Sequence, residues 1–179
     1  VETSDTTHLR KFYGSLYRTS FLPRTVNDVD GSYPAFSSGR ATHSSQTYYD
    51  DFSMWDTYRA LHPLLVLLSP TKSGEMMQSL VDKYKQGGWL PIFPCWNSYT
   101  AAMIGDHCTA TICDAYVKGV RNFDIQTAYE AMRKNAFEQL HDAISHTTFN
   151  KLDTLAGETL VKEDIDFKQA VSLPLQGLS

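Results

Sequence analysis

Apolar positions recur at helical spacing almost from the start of the chain. Leu9, Phe12, Tyr13, Leu16 and Tyr17 fall at i, i+3, i+4, i+7 and i+8, the stripe of an amphipathic helix. It should begin near Asp5 or Thr6 and stop before Pro23. Residues 20–47 then lose any period and fill with Pro, Gly, Ser, Thr and Asn, which predicts a long ordered loop or lid with a short hairpin around Asp30-Gly31. A second helix starts at Ser53 and runs toward His62, where Pro63 either kinks it or opens a new segment. Leu61, Leu64, Leu65 and Leu68 should pack against the preceding helix. After a polar break over Ser69-Pro70-Thr71-Lys72-Ser73-Gly74, Met76, Met77, Leu80, Val81 and Tyr84 form the next buried stripe, with Gly87 as its C′ residue. Ala101 to Lys118 reads as a closely packed inner helix ended by Gly119, interrupted by Asp106 and His107. Asp124 caps a further helix whose stripe holds Ile125, Ala128, Tyr129, Met132, Ala136, Phe137 and Leu140. Residues 148–179 form a polar, weakly patterned tail with at most a marginal helix around Glu163–Ala170. Almost nothing alternates as a strand does, so the fold class is all-α, built as αα-hairpins.

Composition narrows the function classes. The chain has 179 residues, 42% hydrophobic and 20% charged, ordinary for one globular domain with a sizeable core. The net charge of -4 and the lack of a basic run give no support to nucleic-acid or membrane-surface binding. The longest apolar run, Leu64 to Leu68, is far too short to span a bilayer. No signal-peptide pattern opens the chain, and position 1 is Val rather than Met, which suggests a processed chain or a piece of one. Cys95, Cys108 and Cys113 have no CxxC or CxH spacing and are expected to be reduced and mostly buried, with no zinc signature. There is no Asn-x-Ser/Thr sequon, so the compartment stays open.

Candidate chemistry gathers in two aromatic stretches. The first is Tyr48-Tyr49-Asp50-Asp51-Phe52-Ser53-Met54-Trp55-Asp56-Thr57-Tyr58-Arg59. Ser53 with Asp56 three residues on resembles a capping box, in which each side chain bonds the other's amide. Trp55-Asp56 also suits a sugar site, because a broad ring can face the C–H face of a pyranose while a carboxylate grips two adjacent hydroxyls. Arg59, one turn on, could hold that carboxylate in place. The second stretch is Gly87-Gly88-Trp89-Leu90-Pro91-Ile92-Phe93-Pro94-Cys95-Trp96-Asn97-Ser98-Tyr99. Its prolines forbid a regular helix, so its aromatics are either an apolar plug or a stacking surface for a ligand. His107 is either a satisfied core histidine or a further ligand contact.

These segments also resemble a known family. Leu16-Tyr17-Arg18-Thr19, Asp51-Phe52-Ser53-Met54-Trp55-Asp56-Thr57-Tyr58-Arg59-Ala60-Leu61-His62-Pro63-Leu64, Gly87-Gly88-Trp89-Leu90-Pro91, Met103-Ile104-Gly105-Asp106-His107 and Asp114-Ala115-Tyr116-Val117-Lys118-Gly119 occur in the same order in glycoside hydrolase family 92. That family comprises calcium-dependent, inverting exo-α-mannosidases, and the resemblance covers roughly Leu9 to Phe137. It implies an (α/α)6 toroid preceded by a β-sandwich. Residues 1–147 would then be a partial catalytic-domain segment of two to three hairpins, with 148–179 as the tail. It further implies that Asp56 contacts the mannose at the cleaved end beside Trp55, and that Trp96, Asn97 and Tyr99 line the entrance.

The general acid, the general base and most calcium contacts would lie downstream of the last matching segment. No catalytic residue and no metal ligand is therefore assigned within the chain. The expected partners are mannose-containing glycans and the remainder of the toroid or another chain. A secreted or endomembrane-lumen setting goes with the resemblance. The alternative is a non-catalytic helical carbohydrate-binding or interaction module on a mannosidase-like scaffold. A terpene-cyclase-like barrel is the weakest reading, since Asp50-Asp51 has no evident facing counterpart.

Overall fold

The computed structural model describes residues 3–100, 102–103 and 105–137. Among the described residues six helices dominate: α1 (Thr6–Arg18), α2 (Met54–Thr57), α3 (Leu61–Leu68), α4 (Pro70–Gly87), α5 (His107–Val117) and α6 (Ile125–Phe137). Four short strands correct the all-α expectation: β1 (Arg24–Thr25), β2 (Ser32–Pro34), β3 (Ala41–His43) and β4 (Tyr49–Asp50). They form two antiparallel pairs, β1 with β4 and β2 with β3. Strands of two or three residues are too short to write an alternating pattern, which is why the sequence hid them. The predicted lid is thus a small β layer. Its hairpin exists, but the reversal lies over 35–40, where Ser37 and Gly39 take positive φ, and not at Asp30-Gly31. The tail over 148–179 and the predicted stripe residue Leu140 lie outside the described residues.

Helix boundaries follow local chemistry. Asp5 caps α1 by accepting from the amides of Thr7 and His8. Pro63 falls in the first turn of α3, where a missing amide costs nothing, so the chain opens a second helix there. The face that α3 buries overlaps the predicted one only in part: His62 and Val66 go inward with Leu65 packed beside the core, while Leu68 of the expected stripe is exposed, as is Leu67. The polar break over 69–74 is also corrected. Pro70 starts α4, and Ser73 and Gly74 are buried in it. Gly74 lies so close to the Asn122 amide that a Cβ would overlap it, and Asn122 in turn donates to the Thr71 carbonyl. Gly88, not Gly87, supplies the left-handed cap of α4 at φ 87°. The helix predicted from Ala101 begins instead at His107. Asp106 is its cap, accepting from the amide and hydroxyl of Thr109. Asp124 caps α6 as expected, through the Thr127 amide and hydroxyl, and also receives Lys85 at 2.8 Å.

The core lies between α3, α4, α5 and α6, around Met54, Met77, Leu80, Val81, Ile112 and Ala131, with Phe52 entering from the β layer. Helix α1 stands apart. Every residue of it is at least partly exposed, and Phe12, Tyr13 and Tyr17 present their rings to solvent. A shallow apolar hollow lined by Phe12, Leu16 and Leu64 marks where it meets α3.

Candidate functional site

The predicted site residues separate into two groups, both anchored by the run that leads from β4 into α2. That run is buried because strand pairing and helix α4 hold it from two sides. Tyr49 donates its amide to Ser79 Oγ at 2.9 Å, and Ser79 donates onward to the Glu75 carbonyl at 2.8 Å. Phe52 donates to the Pro94 carbonyl at 3.1 Å, tying the second aromatic stretch to the first.

The first group surrounds α2. Trp55 is half-buried and Asp56 is exposed. The capping box does not close: the Ser53 hydroxyl donates to the Asp56 carboxylate at 2.6 Å, and Ser53 makes no side-chain cap. That contact holds Asp56 in one orientation while leaving the rest of the carboxylate facing water. Arg59 does not hold the carboxylate. It donates to the Trp55 carbonyl at 2.9 Å and lies over two rings, 4.7 Å from the Trp55 centroid and 5.0 Å from that of Tyr58. Tyr58 stacks in turn on His107, centroids 4.3 Å apart and planes 8° apart. Burial, then the charge of Arg59, lowers the His107 pKa, so this imidazole is neutral at pH 7. A continuous stack of rings thus joins α2 to the start of α5 and stiffens the wall beside Trp55.

The second group is the turn at 95–98. Trp96 and Asn97 both take positive φ, 52° and 55°, an uncommon state for residues with side chains. Two adjacent carboxylates stabilise it. The Trp96 amide donates to Asp51 Oδ1 at 3.0 Å and the Asn97 amide to Asp50 Oδ2 at 2.5 Å. Trp96 is 82% exposed and borders an open hollow of about 400 Å3, with Arg24, Pro34, Asp50 and Asp51 on its other sides. Asn97 is braced on every side, its Oδ1 accepting from Tyr48 at 2.8 Å and its Nδ2 donating to the Pro34 carbonyl. Tyr99 is likewise committed to the loop: its hydroxyl donates to the Trp89 carbonyl at 2.8 Å and accepts from the Trp89 amide at 3.1 Å. Of the three, Trp96 alone offers a free face.

Sequence reasoning missed the charges behind this turn. Lys83 is fully buried on α4, its Nζ 3.0 Å from Asp50, with hydrogen bonds to Tyr48 Oη at 2.7 Å and the Tyr49 carbonyl at 2.8 Å. Burial pushes its pKa down to about 8 against the pull of Asp50. Its position was the available signal, since Lys83 lies three residues after Leu80 and seven after Met76, on the buried face. Arg24 pairs with Asp51 from β1. Burial would raise the Asp51 pKa, but the bonds from Cys95, the Trp96 amide and Arg24 outweigh it and hold it low.

Calcium, implied by the resemblance, finds no cradle here. Among the described residues no three His, Cys, Asp or Glu side chains converge as a metal site. The nearest carboxylate pair, Asp50 and Asp51, is already opposed by Lys83 and Arg24, a setting that disfavours another cation. The described residues do not fit a calcium site. The cysteines are free, with Cys108 buried, Cys95 half-buried and Cys113 exposed. No described helix is long and apolar enough to cross a membrane.

Comparison with known proteins bears on this geometry. The sequence model of the Glycosyl hydrolase family 92 catalytic domain matches residues 1–173. A family GH92 α-mannosidase from Bacteroides thetaiotaomicron, solved in complex with mannoimidazole, is 33% identical with a TM-score of 0.72. The match covers 76% of this chain and 18% of that one. An inverting GH92 mannosidase from the same organism is also 33% identical, with a TM-score of 0.67 over 72% of this chain and 18% of its own. A protein of Arthroderma benhamiae described as an uncharacterized secreted glycosidase is 28% identical over 130 residues, 71% of this chain and 12% of its own. This chain therefore spans less than a fifth of the length of these relatives. Within that span, the chain belongs to glycosyl hydrolase family 92.

Proposed function

We propose that this chain is the part of an exo-acting α-mannosidase that holds the terminal mannosyl residue, with Trp55 and Asp56 as its contacts, and that alone it does not hydrolyse the bond. The observation that carries this reading is the Asp56 carboxylate. It stands exposed beside half-buried Trp55, steadied by Ser53 at 2.6 Å. Such an acceptor can take hydrogen bonds from two neighbouring sugar hydroxyls while the indole covers an apolar sugar face. Trp96, on its braced turn, is the second surface that a glycan could meet.

Inverting hydrolysis needs a protonated carboxylic acid beside the leaving oxygen and a second carboxylate to activate water on the opposite face. The aspartates of the matched segments are otherwise engaged. Asp50 pairs with Lys83, Asp51 with Arg24 and Asp114 with Lys118, while Asp106 caps α5. The described acid whose pKa is raised, by burial first, is Asp82, and it is held by Gln78 on α4. We place the acid, the base and most calcium ligands in the remainder of an (α/α)6 toroid, downstream of these residues. The exposed rings of α1, with Leu67 and Leu68, suit a face that further helices of that toroid would cover. The likeness to a secreted glycosidase favours a secreted setting.

The test is turnover of an aryl α-mannoside by the purified 179 residues, with and without added calcium. No turnover is expected in either condition, and appreciable hydrolysis in either would overturn the proposal.

A further inference from the structure

Lys83 is a charge with no side-chain exposure at all, yet it lies on the core face of α4. Burying an ammonium is costly unless every proton finds an acceptor. Here the ammonium donates to Tyr48 Oη and the Tyr49 carbonyl, and the Asp50 carboxylate opposes its charge as an ion pair at 3.0 Å. Two of those partners lead to a single residue. Asp50 takes the Asn97 amide on its other oxygen at 2.5 Å, and Tyr48 donates its hydroxyl to Asn97 Oδ1 at 2.8 Å. Asn97 is thereby held at backbone and side chain by relays that both begin at the Lys83 ammonium. Its neighbour Trp96, with φ 52°, has an exposed indole on the rim of the hollow. A left-handed pair of non-glycine residues persists only where the surroundings over-determine it.

We infer that Lys83 is a positioning residue: through Asp50 and Tyr48 it locks the Trp96–Asn97 turn, so that Trp96 is presented as a rigid platform for a sugar ring of the bound glycan. The inference rests on the proposed glycan-binding role for its ligand, but its structural half stands without it. A platform that must be ordered on binding loses part of its stacking energy to that ordering. Lys83 removes that loss in advance. Lys83 touches no ligand; it acts at a distance of two bonds, through the turn.

The experiment uses Lys83→Met, Tyr48→Phe, Trp96→Ala and the double variant Lys83→Met/Trp96→Ala, each as the same chain. Two quantities are read: amide hydrogen exchange residue by residue, and affinity for an α-mannosyl oligosaccharide followed by NMR shifts. In Lys83→Met the Trp96 and Asn97 amides should exchange at least ~10-fold faster while those of α5 and α6 keep their protection. Affinity should fall about tenfold, the order expected for losing one ordered aromatic stack. Adding Lys83→Met to Trp96→Ala should cost no further affinity, because the lysine works through that indole. Tyr48→Phe, which cuts one relay and keeps the ring stacked on Tyr33, should show the same pattern more weakly. It decides the matter if Lys83→Met does not fold.

Unchanged exchange at Trp96 and Asn97 in a folded variant would overturn the inference. So would losses from Lys83→Met and Trp96→Ala that simply add. If the unaltered chain binds no α-mannosyl ligand, the proposed function fails, and the amide exchange alone then decides whether Lys83 locks the turn.

Discussion

His62 gives the fold a calculable weakness to acid. It is 97% shielded from solvent on α3, stacked near Phe52 with ring centroids 6.0 Å apart, and its Nε2 has no hydrogen-bond partner among the described residues. Burial lowers its pKa from the ordinary 6.5 to about 4, with Asp114 pulling weakly the other way. In the unfolded chain the imidazole takes its proton near pH 6.5; in the folded chain it resists until about 4. Between those values the unfolded state binds more protons, so stability falls as the pH drops through the window. The full stability is present above about 6.5 and the loss is complete below about 4. At about 1.4 kcal/mol per pH unit over a window of about 2.5 units the loss reaches at most about 3.5 kcal/mol, a large share of the ~5–15 kcal/mol that holds a typical domain together. Urea unfolding followed by circular dichroism at half-unit steps from pH 7.5 to 3.5 measures it. His62→Leu removes the titrating group, so subtracting its curve cancels every other ionisation. The difference should slope across the window and flatten on both sides. A flat difference throughout would show that His62 is not held neutral by burial.

Two further changes probe the frame of the site. Gly87→Ala should destabilise the chain by ~1–3 kcal/mol in the same unfolding assay, because a Cβ there would meet the Tyr99 hydroxyl at 2.5 Å and the Phe36 ring at 3.0 Å. An unchanged midpoint would mean that Tyr99 gives way freely. Asp124→Ala should cost ~1 kcal/mol by removing the α6 cap, and the loss should vanish in acid. The bond from Lys85, with those from Thr127, holds the Asp124 pKa down at about 2, so its contribution is present above the ordinary 3.8 and lost as the pH falls toward 2. Equal losses at pH 6 and pH 2 would contradict that role.

What the sequence made legible was the periodic part. The stripe of α4 and the cap at Asp124 follow from spacing, and Met77, Leu80 and Val81 are buried. On α6 only Ala128 of the expected stripe is buried, with Ile125 and Met132 packed beside the core, while Tyr129, Ala136 and Phe137 are exposed and Ala131 takes the inner position. Where packing overrode propensity, the pattern misled. Ser69 to Gly74 looks like a loop, yet Gly74 is demanded by the Asn122 amide and Pro70 fits a first turn. Asp106 looked like an interruption of a helix that it in fact begins. Local grammar also fell short at Ser53, whose hydroxyl serves the Asp56 carboxylate and not an amide. The site itself was half visible. Trp55, Asp56 and Trp96 stand out by type and spacing, but the relay from Lys83 to Asn97 joins residues 14 apart in sequence through Asp50 and Tyr48 on another element. Only the fold brings them together.

The most direct measurement is NMR of the chain's tryptophan indole N–H signals during titration with methyl α-mannoside to tens of millimolar, beside the Asp56→Asn variant. Weak, saturable movement of the Trp55 signal is expected, together with its loss in Asp56→Asn at an unchanged melting temperature, since the Asp56 side chain is exposed. A Trp55 signal that stays still, or one that moves equally in Asp56→Asn, would contradict the assignment of these two residues to the sugar.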